Sequence, residues 1–232
     1  MNLKRALVSI IGSNRNFRSS ITALDCISLK LTPGSRVGLI GENGAGKTTL
    51  LRVLAGSLPP VSGKVDSVGS IQSFLGSPLH GLDNEMSGFE NIEHVSMINR
   101  HRVKKGSAMY EEIAEFSGLK DRLNDPIFTY STGMKARLRF SILTSFSPDI
   151  LLMDEGIGAA DYAFSTQAQI RLDEFLKRAG ILVMASHSRD FLTNFCDQGL
   201  WLHHGKIAAT GMIAEVHDLY TSEMNERSDS PA

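Results

Sequence analysis

Apolar positions along the chain alternate between short continuous runs and stretches with helical spacing. Strand-like stretches occupy residues 6–11, 23–31, 36–40, 63–73, 150–153, 181–185, 200–202 and 206–209. Helical spacing covers residues 50–54, 90–122, 131–142, 164–178, 189–195 and 212–220. Runs that are apolar throughout, such as 150–153, are typical of strands buried on both faces of a parallel sheet. The pattern therefore predicts an α/β fold with a mainly parallel sheet covered by helices on both faces.

One long part of the pattern contains helical signals only. Residues 84–145 lack a strand-like stretch, which predicts a helical lobe inserted into an α/β core formed by residues 1–83 and 146–220. Residues 221–232 are polar, so we expect a disordered tail after a domain that spans residues 1–220. The basic run 100–105 in the lobe is either a solvated connection or a contact with phospholipid head groups or another anionic partner.

Composition sets limits on the function. The 232 residues have a formal net charge of −1, so the chain lacks the global basic field that favours nucleic-acid binding. No apolar run approaches the ~20 residues of a membrane span, and residues 1–5 do not resemble the start of an export signal. We therefore expect a protein that is soluble on its own and reaches a membrane only through a partner. Cys26 and Cys196 have no metal-type spacing and are expected to be reduced thiols that fill the core.

The stretch from Gly41 to Thr49 matches the phosphate-binding pattern G-x-x-x-x-G-K-[ST]. It joins a strand-like run to a helical one, where glycines let backbone N–H groups point inward around an anion at a helix N-terminus. Lys47 is expected to reach the β- and γ-phosphates of a nucleotide, and the Thr48 hydroxyl to ligate Mg²⁺. The residues expected to bind the nucleotide are Gly41, Asn43, Gly44, Ala45, Gly46, Lys47, Thr48 and Thr49. A glycine-rich turn without a ligand is the alternative.

Two acidic residues, Asp154 and Glu155, directly follow the apolar run 150–153. Ligands of parallel sheets bind outside the carboxyl ends of the strands, which is where these side chains are expected. Asp154 would hold the Mg²⁺ that Thr48 also contacts, and Glu155 would polarise the attacking water as a general base. An acidic helix cap is the other interpretation of this pair.

Ser131 and Gly133 lie at the start of a helical stretch, within the segment Tyr-Ser-Thr-Gly-Met. Taken alone, the segment is either an ordinary helix N-cap or a second anion site. Together with the preceding motifs it resembles the LSGGQ motif of ATP-binding-cassette ATPases, and the resemblance extends over nearly the whole chain. Residues 41–49 look like the Walker A motif of that family, and residues 150–155 look like its Walker B motif.

The resemblance gives roles to further residues. Glu155 stands where the family has its catalytic glutamate, and Asp161 matches the aspartate of the D-loop. His187 matches the switch histidine, although by itself it could equally be a structural histidine. Phe17 matches the aromatic residue that stacks on adenine, a position at which a loop aromatic could also be a core residue.

The family implies a P-loop NTPase (RecA-like) core with an N-terminal antiparallel β part and the inserted helical lobe. It also implies that two copies pair head to tail and sandwich two ATP molecules. Ser131 and Gly133 of one copy would contact the γ-phosphate held by Lys47 of the other, with Glu155 and His187 supporting hydrolysis. The dimer would drive an integral membrane permease, and would be held by it at the cytoplasmic face of the inner membrane.

Departures from the family pattern narrow the resemblance to one branch. Thr132 and Met134 replace a glycine and the glutamine of LSGGQ, Gly156 replaces a proline, and the Q-loop glutamine is not at its expected place. This motif, with residues 87–92 and 154–161, looks like the bacterial branch that exports O-antigen, capsule or teichoic-acid chains. The implied function is the ATPase subunit of an exporter of lipid-linked cell-surface polysaccharide across the inner membrane.

The sequence leaves three other functions open. The same ATPase could serve a transporter of a lipid, drug or peptide, and only its genomic neighbourhood or its partner would distinguish these substrates. A soluble ATPase of translation or DNA repair is disfavoured, because we find one cassette and no sustained heptads. A binding module that does not hydrolyse ATP is disfavoured by the presence of Lys47, Asp154, Glu155 and His187.

Overall fold

The computed structural model describes residues 1–11, 20–75, 81–99, 101–154 and 166–228. The chain divides into two compact units. The first, called here the sheet unit, comprises Met1–Leu75, Asp149–Glu155 and Gly180–Ala232. The second, the helical unit, comprises Gly76–Pro148 and Gly156–Ala179.

Two sheets lie in the sheet unit. The strands are β1 Asn2–Ile11, β2 Ser20–Lys30, β3 Arg36–Ile40, β4 Ser62–Asp66, β5 Ile71–Phe74, β6 Ile150–Met153, β7 Ile181–Ala185, β8 Gln198–His203 and β9 Lys206–Met212. The larger sheet has the order β5-β6-β7-β3-β8-β9 and is parallel except for the β8–β9 pair. The smaller sheet is antiparallel, in the order β2-β1-β4. The predicted fold class, a parallel core with an N-terminal antiparallel part, is confirmed.

The helices cover the larger sheet or form the helical unit. Their bounds are α1 Lys47–Leu54, α2 Gly88–Ile98, α3 Ala108–Ser117, α4 Thr132–Thr144, α5 Thr166–Arg178, α6 Arg189–Phe195 and α7 Ile213–Ser228. Every residue of β6 and β7 is buried, as their uninterrupted apolar sequences predict. The core of the sheet unit packs α1 and β2 against this sheet through fully buried leucines such as Leu24, Leu39 and Leu50.

The helical unit has its own core and its own polar ties. Ser87 and Glu90 form a capping box that starts α2, with the Ser87 N–H donating to Glu90 Oε2 at 2.7 Å. Fully buried side chains of α2, α3 and α4, including Ile92, Ile113 and Leu138, form the core. None of the described helices has both the length and the apolar character of a membrane-spanning segment.

The structure corrects two expected boundaries. Helix α5 was expected in the α/β core but belongs to the helical unit. Arg171 on α5 explains this: its Nε donates to Thr144 Oγ1 at 2.6 Å, its Nη2 pairs with Glu112 Oε1 at 2.7 Å, and its guanidinium lies 4.3 Å from the Phe116 ring centre. The helical unit therefore includes residues before 84 and after 145.

The second correction concerns the C-terminus. Helix α7 continues to Ser228, so the expected disorder of residues 221–228 is wrong. Arg227 holds the last turn, because its Nη2 donates to Glu223 Oε1 at 3.0 Å and lies 3.2 Å from Nε2 of His203. Residues 229–232 lie outside the described part of the chain.

The two cysteines differ from the expectation and from each other. Cys196 is buried, and burial raises the pKa of its thiol to about 12. Cys26 is exposed, so its assignment to the core is wrong. The reason is a bulge: between the pairs Val8–Leu24 and Ala6–Ile27 strand β2 has one more residue than β1, and Cys26 adopts a φ of 56° there.

This difference predicts the reactivity of the two thiols. At pH 8 the native protein should react with an aromatic disulfide reagent at Cys26 within minutes, while Cys196 stays protected because its thiolate is disfavoured and inaccessible. Released chromophore should correspond to one thiol per native chain and to both after unfolding in guanidinium. Two fast thiols in the native protein would contradict the buried position of Cys196.

Candidate functional site

The stretch from Gly41 to Gly46, called here the phosphate loop, connects β3 to α1. It lies outside the carboxyl end of β3, whose neighbours β7 and β8 are parallel to it. Gly46 is the N-cap of α1 with a φ of 107°, a left-handed conformation that favours glycine. A Cβ on Gly46 would lie 2.7 Å from the carbonyl oxygen of Ala23 on β2. Glycine is therefore required there both by its conformation and by the close approach of β2.

Lys47 is the first residue of α1, and its side chain is directed back into the phosphate loop. Its Nζ donates to the carbonyl oxygens of Gly41 at 2.5 Å and Glu42 at 3.1 Å. The Ala45 N–H also donates to the Glu42 carbonyl, at 3.1 Å. These bonds curl the loop around the lysine, so that a buried ammonium group lies where a phosphate-binding loop needs its positive charge.

Three neighbouring parallel strands bring the predicted chemistry together. Asp154 follows β6, His187 follows β7, and the phosphate loop follows β3. All three regions border one cavity of about 180 Å³. It is lined by Ala23, Glu42, Asn43, Gly44, Gly46, Lys47, Thr48, Thr49, Asp154 and His187. The carboxyl edge of the sheet thus holds a cation, an alcohol, a carboxylate and an imidazole around one space.

The chemistry of this lining fits a magnesium ion. The Thr48 hydroxyl and the Asp154 carboxylate are oxygen donors, the kind that Mg²⁺ prefers, and both border the cavity. The Asp154 N–H donates to the Phe74 carbonyl at 3.0 Å, which extends the β5–β6 pairing to the residue that carries the carboxylate. Mg²⁺ usually keeps one or two protein carboxylates and takes its other ligands from water and phosphate oxygens, and such a partial donor set is what these residues offer.

Other predicted site residues are not among the described residues that line this cavity. Ser131 and Gly133 belong to the helical unit, where Ser131 is the exposed N-cap of α4 and its Oγ accepts from the Met134 N–H at 3.3 Å. Gly133 is exposed, with open space where a Cβ would lie. Phe17, Glu155 and Asp161 lie outside the described residues. The start of α4 therefore presents a hydroxyl and backbone N–H groups to the surface of its own unit.

Two lining residues, Ala23 and Glu42, were not expected from the sequence. Ala23 reaches the site because β2 packs under the phosphate loop. The Glu42 carboxylate has an electrostatic partner far along the chain, since its Oε2 lies 3.9 Å from Nη1 of Arg227. The pKa of His203, beside that arginine, is lowered by burial and by its neighbour His204. No local sequence pattern marks these contacts, because each one joins distant segments.

Comparisons with known proteins agree with this geometry. The ABC transporter family matches residues 24–158, more than half of the chain. The O-antigen export system ATP-binding protein RfbE of Yersinia enterocolitica is 42% identical over 204 residues, which cover 87% of this chain and 84% of that protein. The teichoic acids export ATP-binding protein TagH of Lactococcus lactis is 35% identical over 92% of this chain, which spans only 45% of that protein's length.

Solved structures show the same fold. A dimeric, post-hydrolysis ATP-binding cassette, MJ0796 bound to ADP and phosphate, superposes with a TM-score of 0.69 over 91% of this chain at 18% identity. An ATP-binding subunit of an ABC transporter superposes with a TM-score of 0.69 over 95% of this chain at 21% identity. The resemblance that the motifs indicated is thus confirmed over the described residues, and the chain belongs to the ABC transporter family.

Proposed function

We propose that this chain is the ATP-hydrolysing subunit of an exporter that moves a lipid-linked cell-surface polysaccharide across the inner membrane. The main support for ATP hydrolysis is the cavity that Lys47, Thr48, Asp154 and His187 line together. The main support for polysaccharide export is the 42% identity to an O-antigen export ATP-binding protein. A second relative of the same kind, TagH of Lactococcus lactis, acts in teichoic acids export by its name.

In the proposed site the phosphates of ATP lie on the inward N–H groups of the phosphate loop, at the N-terminus of α1. Lys47 would exchange its bonds to the Gly41 and Glu42 carbonyls for bonds to the β- and γ-phosphates. Thr48 and Asp154 would hold Mg²⁺, which when bound neutralises charge on the phosphate oxygens. Glu155 would accept a proton from the attacking water, and His187 would donate a hydrogen bond to the γ-phosphate.

The exposed N-terminus of α4, which is not part of the lining of this cavity, supports a site shared by two chains. Ser131 and Gly133 of a second copy are proposed to cover the γ-phosphate with the exposed N-terminus of α4. In a head-to-tail dimer each ATP would then be bound by the phosphate loop of one chain and by Ser131 and Gly133 of the other.

The names of the relatives describe ATP-binding components of export systems, and this supports a membrane partner for the chain. We propose that the dimer binds an integral permease at the cytoplasmic face of the inner membrane. ATP-driven closure and release of the two chains would then change the conformation of the permease, since ligands shift such equilibria through differential binding.

Exchange of Lys47 for alanine tests this function at two levels. The purified variant is expected to bind ATP at least about 100-fold more weakly, because it lacks the charge-assisted bonds to the phosphates. Binding should be measured by calorimetry with Mg²⁺ present. Lys64→Ala is the matched control, since Lys64 is exposed on β4 and its Nζ pairs with Asp66 Oδ2 at 2.9 Å, away from the cavity lining.

In cells, deletion of the gene is expected to make lipid-linked polysaccharide accumulate on the cytoplasmic side of the inner membrane. The wild-type gene and Lys64→Ala should restore surface polysaccharide, and Lys47→Ala should not. Normal ATP binding by Lys47→Ala would contradict the proposed nucleotide site. Normal surface polysaccharide in the deletion strain would contradict the export function and leave the nucleotide site standing.

A further inference from the structure

The turn between β8 and β9, formed by His204 and Gly205, packs against the phosphate loop. The Gly205 N–H donates to the carbonyl oxygen of Ala45 at 3.1 Å. On its other side, the Gly205 carbonyl accepts from the Asp25 N–H of β2 at 2.8 Å. One residue of the turn therefore links the backbone of β2 to the backbone of the phosphate loop.

The space around Gly205 admits no side chain. Gly205 has a φ of 76°, and a Cβ there would lie 2.8 Å from the carbonyl oxygen of Ala23 and 3.2 Å from the Cα of Leu24. Both are backbone atoms of β2, which cannot move aside as the end of a flexible side chain can. The same Ala23 oxygen lies 2.7 Å from the position that a Cβ on Gly46 would take. A shift of this carbonyl would therefore displace Gly46, the residue that precedes Lys47.

Two further contacts fix the β8–β9 hairpin against the phosphate loop and β2. A Cβ on Gly41 would overlap the carbonyl oxygen of Leu202, so the end of β8 lies against the start of the phosphate loop. Next to the turn, Lys206 Nζ pairs with Asp25 Oδ2 at 3.2 Å. The hairpin thus contacts the loop at Gly41 and at Ala45, and is itself fixed to β2.

We propose that Gly205 is a positioning residue for the phosphate loop: it holds Ala45 and Gly46 where Lys47 can engage the nucleotide. The inference rests on the proposed binding of ATP and assigns to the β8–β9 turn a role in nucleotide affinity. Gly205 is not among the residues that line the cavity. Its effect passes through the Ala23 carbonyl and its own bond to Ala45.

Gly205→Ala in the full chain tests this role, with Gly34→Ala as the matched control. Gly34 has a similar φ of 89° and a similar bond, its N–H donating to the Gly180 carbonyl at 2.8 Å, but open space at its Cβ. Both variants should lose similar stability from backbone strain. Only Gly205→Ala should raise the KM for ATP, by about tenfold, with kcat within about twofold of wild type, because a small displacement of the loop weakens phosphate binding.

Gly205→Asn distinguishes the steric effect of a Cβ against β2 from the backbone strain of a positive φ. Asparagine tolerates positive φ better than alanine but still adds a Cβ, so it should fold more stably than Gly205→Ala and show the same raised KM. A wild-type KM in Gly205→Asn, or equal KM values for the Gly205 and Gly34 variants, would overturn the inference and leave the proposed function intact. Failure of the wild-type chain to bind ATP would instead overturn the proposed function, and this inference with it.

Discussion

Exchange of Glu155 for glutamine is expected to leave ATP binding intact and to lower the rate of hydrolysis by about 10²–10⁴-fold. Glu155 directly follows Asp154 in the sequence, Asp154 borders the cavity, and Glu155 is proposed to accept the proton of the attacking water. Glutamine keeps the size and the hydrogen-bonding shape of the side chain but is not a base. ATP should therefore stay bound and hold two chains together, which light scattering at saturating ATP would detect as a dimer.

A glutamate outside the proposed site provides the control for this variant. Glu115 is exposed on α3, so Glu115→Gln removes the same charge from the protein without altering the cavity. It should hydrolyse ATP at the wild-type rate and give no stable dimer. Wild-type turnover in Glu155→Gln would show that another group accepts the proton.

Exchange of Ser131 for arginine is expected to abolish ATP-driven dimerisation and to reduce hydrolysis by about 100-fold or more. Ser131 is the exposed N-cap of α4, and a Cβ on nearby Gly133 would meet open space. A long cationic side chain there would prevent close approach of a second phosphate loop. Binding of ATP by the single chain should persist, because Lys47 and Thr48 are unchanged. Calorimetry and sedimentation at increasing ATP would measure the two effects separately.

Loss of the helix cap must be distinguished from loss of the interface. Ser107 is the N-cap of α3 in the same unit, and its Oγ accepts from the Tyr110 N–H at 3.4 Å. Ser107→Arg should cost a similar ~1 kcal/mol of stability as Ser131→Arg, yet dimerise normally with ATP. Equal dimerisation by both variants would mean that Ser131 does not contribute to a shared site.

Much of the sheet unit could be predicted because its signals are local. The uninterrupted apolar runs of β6 and β7 required burial on both faces, and the parallel sheet provides it. Carboxyl ends of parallel strands meet at one edge, so Lys47, Asp154 and His187 could be expected together before any coordinates were known.

The rest depends on contacts between distant segments, which no local pattern encodes. Cys26 is exposed because a bulge shifts the pairing of β2 with β1, and the apolar character of a cysteine does not reveal a bulge. The polar end of α7 is helical because Arg227 reaches Glu223 and His203. Gly205 lies against the phosphate loop because its N–H donates to the Ala45 carbonyl and because β2 packs against both segments.

The most direct test of a site shared by two chains is the hydrolysis rate of an equal mixture of Lys47→Ala and Ser131→Ala, since alanine removes the Ser131 hydroxyl without adding a side chain that blocks pairing. Each variant alone should be inactive, since both sites of each homodimer are damaged. In a head-to-tail mixed dimer, the intact Lys47 of one chain meets the intact Ser131 of the other, so one site of two is complete. Random pairing makes half of the dimers mixed, and the mixture should therefore recover about a quarter of the wild-type rate. A rate no greater than the sum of the separate variants would contradict the shared site.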